Sequence, residues 1–146
     1  MAKRFSRESA WFPEEPRSFI RVALQRLDEA RFLFDGERYA ATIYLAGYSV
    51  ECGLKALILA TGSKARWQAT AESFRGSGWH EINRLREVYV ERGGPRPPPA
   101  ITRALTYVHD VWFVGLRYIP GDRTFREARQ FLDSTDLILG RIEGRL

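Results

Sequence analysis

The sequence predicts an all-α fold, an antiparallel up-and-down helical bundle of four long helices plus one shorter or peripheral helix. Apolar residues recur at steps of three and four along several segments, and strong helix breakers separate those segments. No stretch shows the alternation of apolar and polar residues that is typical of a strand. The 146 residues, 45% of them hydrophobic, suffice for one globular domain. We expect an irregular N-terminal segment at 1–15 and a single domain at 16–146.

The first two helices are predicted at 16–35 and at about 39–60. Acidic residues and Pro16 stand at the start of the first helix, whose apolar positions lie on one face. The second helix carries only two charged residues, Glu51 and Lys55, and is therefore predicted to be the buried central helix. A membrane span is the competing interpretation. We reject it, because each charge in the middle of a span would cost about 2.5–3.5 kcal/mol.

Breaker residues delimit three further helices, which are predicted at about 79–92, about 100–118 and from 124 onward. The polar segment 64–78 is predicted to be a loop with about one helical turn near 69–74. The fourth helix should end before Pro120. Thr124 and Glu127 have the spacing of a capping box, which favours a helix start there.

Composition limits the classes of function. Cys52 is the only cysteine, so no intrachain disulfide can form, and two histidines provide few ligands for a structural zinc site. The basic N-terminal residues are not followed by the apolar core of a secretory signal. We therefore expect a cytoplasmic protein without metal or cofactor. The net charge of +5 favours contact with phosphates or other anions, but a solvated basic surface explains it equally well.

Three blocks of sequence occur in a recognisable order. They are Tyr39 to Ala41 running into Leu45 to Ile58, then Trp79 to Leu85, then Leu116 to Pro120 with Thr124 to Ala128. Together these blocks resemble the HEPN family of nucleotide-associated helical domains. The resemblance implies a compact helical bundle that commonly forms a homodimer and is often encoded beside a minimal nucleotidyltransferase. It also implies that members act either as RNases or as noncatalytic nucleotide-binding modules.

Three interpretations of function follow from the resemblance. The first is a HEPN-type protein that binds nucleotide or RNA phosphates, or that serves as the partner subunit of a minimal nucleotidyltransferase in a toxin-antitoxin-like pair. The second is a metal-independent RNase toxin. The third is a noncatalytic bundle with an assembly or regulatory role, because a fold does not fix a function.

Glu51 and Lys55 are four residues apart on an apolar helix, so their side chains share one face and can form an ion pair. A buried ion pair is costly unless other groups complete its hydrogen bonds. The pair therefore either fixes helix packing or opens to a cleft where it binds a ligand. His80, near a helix start, either caps or packs there or contacts Glu51. We take all three as candidate nucleotide-binding residues.

Arg103 and His109 are the candidate catalytic residues, because the RNases of the family carry an arginine followed after four to six residues by a histidine. The imidazole would transfer protons and the guanidinium would stabilise charge on the phosphate. A spacing of six turns the two side chains about 120° apart on an ideal helix, so a dimer would have to complete the site. Ala104 and Val111 depart from the family pattern. The alternative is a solvated Arg103 with His109 in a packing or dimer contact.

A basic cluster is predicted near the start of the last helix, whose N-terminus itself attracts anions. Its candidate phosphate-binding residues are Arg117, Tyr118, Arg123 and Arg126. Arg117-Tyr118 resembles the family's Arg-Tyr-Pro, although Ile119 precedes the proline here. In the alternative interpretation Arg117 pairs with Glu127 or Asp122 and closes the turn.

The last two helices carry more aromatic residues than one inward stripe of each helix needs. These residues are Tyr107, Trp112, Phe113, Phe125 and Phe131. Aromatic side chains are enriched in the cores of interfaces. We therefore expect a homodimer that uses these two helices.

Overall fold

The computed structural model describes residues 13–146, and within that range the chain is all α-helical with two short 3-10 helices and no strand. The α-helices are α1 (Pro16–Asp35), α2 (Tyr39–Thr61), α3 (Trp67–Ser73), α4 (Ile82–Glu91), α5 (Pro99–Val111) and α6 (Phe125–Glu143). The 3-10 helices are Lys64–Arg66 and Val114–Tyr118. The all-α prediction is confirmed. Most of the segment predicted at 1–15 lies outside the described residues.

Helix α2 is the centre of the core. It packs along α1 and contacts α4 and α6, while α5 packs against α4 and α6. Within the described residues, α2 alone is long and apolar enough to cross a membrane. However, 72% of its most apolar window is buried inside the bundle. It is therefore the core helix that its composition predicts.

Helix α5 ends earlier than predicted, at Val111 rather than near residue 118. The backbone at Trp112 and Phe113 is extended, and the chain then forms the 3-10 helix. The reason is a tertiary contact: the Trp112 indole is buried against α2, where its Nε1 donates a 3.0 Å hydrogen bond to the carbonyl of Tyr44. Gly47 makes this approach possible, because a Cβ there would lie 2.1 Å from the indole.

The segment predicted as a polar loop contains more helix than expected, namely the first 3-10 helix and α3. The apolar residues that hold it against the core are few but have helical spacing. Ala71 and Phe74 are buried, and the Phe74 ring meets Phe19 of α1 edge-on at 5.7 Å between centroids. Helix α4 starts at Ile82, three residues after the predicted position.

The start of α6 has the predicted capping box. Thr124 Oγ1 accepts from the N–H of Glu127 at 3.1 Å, and Glu127 Oε2 accepts from the N–H of Thr124 at 2.8 Å. Asp122 ties this turn to α2, since its Oδ1 accepts from the N–H groups of Ala40 (2.9 Å) and Arg123 (2.8 Å). The connection between α5 and α6 is thereby fixed beside the first turn of α2.

Candidate functional site

A stripe of polar side chains follows one face of α2. Tyr44, Tyr48, Glu51 and Lys55 recur at steps of four, three and four residues, and we call them the α2 polar stripe. The hydroxyls of Tyr44 and Tyr48 lie 3.2 Å apart on half-buried side chains. Glu51 and Lys55 are only 3% and 5% exposed. The tyrosine end of the stripe is thus half-buried, and the Glu51–Lys55 end is buried.

The buried end is a three-residue polar network. Lys55 Nζ donates to Glu51 Oε2 at 3.0 Å, so the predicted ion pair is present. His80 Nδ1 lies 2.8 Å from Glu51 Oε1. An ionised carboxylate only accepts hydrogen bonds, so Nδ1 carries the proton. The His80 side chain is 48% exposed, and its Nε2 has no hydrogen-bond partner among the described residues.

Aromatic rings enclose this network beside the half-exposed His80. Lys55 Nζ lies 5.5 Å from the Phe74 ring centroid, a cation–π contact that favours the buried ammonium. Phe74 packs edge-on against Trp79, and the Arg84 guanidinium lies 5.0 Å from the Trp79 ring. The Arg84 guanidinium is therefore stacked on Trp79, the residue that precedes His80.

The other end of the stripe meets the 3-10 helix that follows α5. The Arg117 guanidinium lies 4.9 Å from the ring of Tyr118, which is 75% exposed. Tyr118 is the largest of the influences that raise the pKa of Arg117, and Tyr44 is among the others. The guanidinium of Arg117 is therefore stacked on an exposed ring near the first tyrosine of the stripe.

Burial changes the acid–base properties of two groups beside the network. Desolvation raises the pKa of the Tyr48 phenol. Desolvation also raises the pKa of the Cys52 thiol to about 12. Both groups are therefore neutral at physiological pH, and Cys52 is not an activated nucleophile.

Arg117 does not close the turn as one interpretation proposed. Among the ion pairs of residues 13–146, none joins Arg117 to Asp122 or Glu127. Those carboxylates accept backbone N–H groups instead, which lowers the pKa of each. That alternative is wrong, because the two carboxylates serve the ends of helices.

The arginines of the predicted basic cluster do not form one cluster, because each has different neighbours. Arg117 lies against α2, whereas Arg123 stands beside the Glu127 carboxylate and helps to lower its pKa. Arg126 lines a shallow depression on the outer face of α6. The capping box also places a carboxylate at the N-terminus of α6, which opposes the binding of a second anion there.

Arg103 and His109 both lie on α5, the first exposed and the second half-buried. Neither forms a hydrogen bond or an ion pair with any residue of the described part of the chain. Their spacing directs them about 120° apart on the helix. One copy of the chain therefore leaves the two side chains unconnected.

The aromatic residues of the last helices are used mostly within the chain. Trp112 and Phe131 are fully buried, and Tyr107 packs on Phe131 with 6.1 Å between ring centroids. Only Phe113 and Phe125 of the five are exposed. The five rings are therefore not in excess, as the sequence led us to expect, because three of them complete the core.

Sequence reasoning missed the tyrosine half of the stripe and the role of Arg84. A signal existed, because Tyr44 and Tyr48 continue the face of α2 that Glu51 and Lys55 define. Among residues 13–146, no group of three or more His, Cys, Asp or Glu side chains is placed to hold a metal ion.

Comparisons with known proteins agree with the fold. The family model for the HEPN domain matches residues 16–145. A solved structure of ST0689, an archaeal HEPN homologue, aligns with a TM-score of 0.61 and 19% identity, covering 91% of this chain and 98% of that one. The solved structure of TT1696 from Thermus thermophilus aligns with a TM-score of 0.68 and 22% identity, covering 92% and 100%. No curated protein matches this chain.

Proposed function

The chain belongs to the HEPN domain family, and from that premise we propose that it binds nucleotide or single-stranded RNA along the α2 polar stripe. It would do so alone or as the noncatalytic partner subunit of a minimal nucleotidyltransferase. One observation carries the proposal: the stripe has a solvent-facing recognition group at each end. These groups are the Arg117–Tyr118 stack and the His80 imidazole.

The Arg117–Tyr118 end has the chemistry that single-stranded nucleic acids need. An exposed tyrosine ring offers a face on which a base stacks, worth about 1–3 kcal/mol per base in known complexes. The guanidinium beside it pairs with a phosphate through planar, directed N–H groups. Because Arg117 already lies over the Tyr118 ring, part of this geometry is preorganised.

The His80 end suits a ribose or a phosphate. With Nδ1 donating to Glu51, a neutral His80 presents Nε2 as an acceptor, for example to a ribose 2′-hydroxyl. When protonated it donates to a phosphate instead. Lys55 neutralises the charge of Glu51, so an approaching anion meets no net negative charge there. Arg84 adds a guanidinium nearby.

The neighbours of the two recognition groups on α2 are separated by a length that fits a short strand. Tyr44, beside Arg117, and Glu51, which contacts His80, are seven residues apart, about 10 Å along a helix that rises about 1.5 Å per residue. A nucleic-acid strand carries one phosphate per about 3.4 Å of axis in a duplex. At that spacing, the part of α2 between Tyr44 and Glu51 matches about three nucleotides.

The test is binding of a fluorescein-labelled oligouridylate, followed by anisotropy, with a duplex RNA of equal length as comparison. We expect the single strand to bind more tightly, and Tyr118→Ala or His80→Ala to weaken binding about tenfold or more. Arg129→Gln on α6 is the matched surface control and should leave binding unchanged. Equal affinity of all variants, or no binding at low salt, would contradict the proposal.

A second candidate function is metal-independent RNA cleavage by Arg103 and His109 at a homodimer interface. The observation in its favour is that both side chains lack partners among the described residues and are free to meet a substrate or a second copy. Cleavage of single-stranded RNA in EDTA tests it. His109→Ala should lower the rate about 10²–10⁴-fold. Cleavage that persists in this variant, or a monomer that cleaves, excludes this site.

A further inference from the structure

The hydrogen bonds of Glu51 determine which nitrogen of His80 carries a proton. Lys55 Nζ donates to Glu51 Oε2 at 3.0 Å, and Glu51 is only 3% exposed. His80 Nδ1 lies 2.8 Å from the remaining oxygen, Oε1. Because a carboxylate that is paired with an ammonium only accepts hydrogen bonds, Nδ1 is the protonated nitrogen. The Nε2 of a neutral His80 is therefore an acceptor.

This acceptor is oriented from the core and open to solvent. The His80 side chain is 48% exposed, whereas the Glu51 carboxylate that binds its other nitrogen is buried. Among residues 13–146, no donor forms a hydrogen bond with Nε2. The hydrogen bond at one ring nitrogen sets the state of the other. The protein surface thus presents a lone pair that takes a hydrogen bond and gives none.

A guanidinium without a carboxylate partner stands beside this acceptor. The Arg84 guanidinium lies 5.0 Å from the ring of Trp79, which directly precedes His80 in the chain. Arg84 forms no hydrogen bond or ion pair with any other residue of the described range, so its N–H groups are free. Guanidinium N–H groups bind phosphate oxygens. A hydroxyl acceptor and a phosphate-binding guanidinium are thus held at two consecutive residues.

A ribonucleotide carries the complementary groups on adjacent carbons of its sugar. The 2′-hydroxyl donates a hydrogen bond, and it is the group by which proteins distinguish RNA from DNA. The neighbouring 3′-phosphate only accepts hydrogen bonds. An ionised phosphodiester has no proton to donate, so a phosphate does not replace the hydroxyl at the Nε2 of a neutral imidazole. The pair of protein groups therefore matches a ribose and its phosphate.

We propose that His80 Nε2 is a ribose subsite, which selects RNA over DNA by accepting a hydrogen bond from a 2′-hydroxyl while Arg84 binds the adjoining phosphate. This inference rests on the proposed binding of a single strand along the α2 polar stripe and adds the sugar specificity of that site. A strand without the hydroxyl leaves Nε2 unpaired, and a site that hydrogen-bonds a hydroxyl rejects the analogue that lacks it. His80 determines the specificity, and Glu51 positions its ring.

The positions of the imidazole protons are tested without any ligand. Long-range ¹H–¹⁵N NMR at about pH 8, above the ordinary pKa of a histidine, distinguishes a protonated ring nitrogen from an unprotonated one. We expect His80 of the wild type to carry its proton on Nδ1. In Glu51→Gln with Lys55→Met, the new amide both donates and accepts, so the proton should be shared between the two nitrogens. A proton on Nε2 in the wild type would overturn the proposal.

Binding is measured with three labelled oligouridylates of equal length that carry hydroxyl, hydrogen or fluorine at the 2′ position. In anisotropy titrations at about pH 8, the wild type should bind the hydroxyl strand about tenfold more tightly than either of the others. A 2′-fluoro sugar keeps the conformation of ribose but donates no hydrogen bond. Equal binding of the hydroxyl and fluoro strands would therefore show that sugar shape is recognised, and it would overturn the proposal.

Variants separate the hydroxyl contact from general binding. His80→Ala should weaken binding of the hydroxyl strand about tenfold and change the other two less than about twofold, which removes the preference. Glu81→Gln, the adjacent exposed control, should keep the preference. Tyr118→Ala should weaken all three strands alike, because a base stacks without its sugar hydroxyl.

Two failures are distinguishable in these titrations. If the wild type binds all three strands equally and Tyr118→Ala weakens each of them, binding along the stripe stands and the sugar specificity is wrong. A preference for the hydroxyl strand that survives His80→Ala also overturns the specificity. If no strand binds at low salt, the proposed function fails together with this inference.

Discussion

The imidazole Nδ1 of His80 lies 2.8 Å from the carboxylate Oε1 of Glu51, although 29 residues separate the two in the chain. Lys55 binds the other carboxylate oxygen. Buried ion pairs rarely repay their desolvation cost by attraction alone, so a complete set of hydrogen bonds is needed to retain one in a core. Here the third partner is a half-exposed histidine, which connects the buried pair to the surface.

Removal of the ammonium from this network should be strongly destabilising. Lys55→Met leaves the Glu51 carboxylate buried without its cation, and we expect a loss of about 3–5 kcal/mol in the free energy of unfolding. Urea denaturation followed by circular dichroism measures it. The double variant Glu51→Gln with Lys55→Met removes both charges and should recover a large part of the loss. If the loss in the free energy of unfolding of the double variant equals the sum of the losses of the two single variants, Glu51 and Lys55 do not stabilise each other as an ion pair.

Gly47 should tolerate no side chain. A Cβ at this position would lie 2.1 Å from the buried Trp112 indole, so Gly47→Ala forces Trp112 away from α2 and should cost about 1–3 kcal/mol or more. Gly140 is the matched control, since it is also helical but nothing lies within 4 Å of its added Cβ. Gly140→Ala should stabilise by about 0.5–1 kcal/mol. A Gly47→Ala protein as stable as wild type would contradict the close contact.

The Asp122 carboxylate should make stability depend on pH on the acid side. Its hydrogen bonds to the N–H of Ala40 and of Arg123 lower its pKa from the ordinary value of 3.8. A group with a lowered pKa in the folded state contributes fully above its unfolded pKa and loses that contribution as pH falls through the folded value.

The corresponding variant is Asp122→Ala. It should unfold at a lower temperature than wild type at neutral pH, and the difference should shrink as pH falls below 3.8. Calorimetry over a pH series measures this. Asp35→Ala serves as control, because Asp35 has no hydrogen bond or ion pair within residues 13–146. A constant difference at all pH values would show that the charge of Asp122 is not involved.

Much of the fold was predictable where local signals and packing agree. The observed bounds of α1 and α2 match the predicted ones within a residue, and the capping box of α6 is present. The end of α5 was not predictable. No strong breaker stands at residue 111, and the helix stops where Trp112 is buried against Gly47.

Contacts of the candidate site that lie within one helix were predictable from the sequence. Contacts between different elements were not. The Glu51–Lys55 pair follows from a spacing of four on α2. The position of Arg117 near Tyr44 depends on the early end of α5 and the tether through Asp122, which are tertiary features. No local spacing connects these residues.

The salt dependence of RNA binding to wild type and to Arg117→Gln tests the central claim most directly. In anisotropy titrations of a labelled oligouridylate over a series of salt concentrations, the logarithm of the affinity should fall linearly with the logarithm of salt. We expect weaker binding by Arg117→Gln and a slope smaller by about 0.7, the value of one lost phosphate contact on a single strand. An unchanged slope and affinity in Arg117→Gln, or an equal loss in Arg129→Gln, would contradict it.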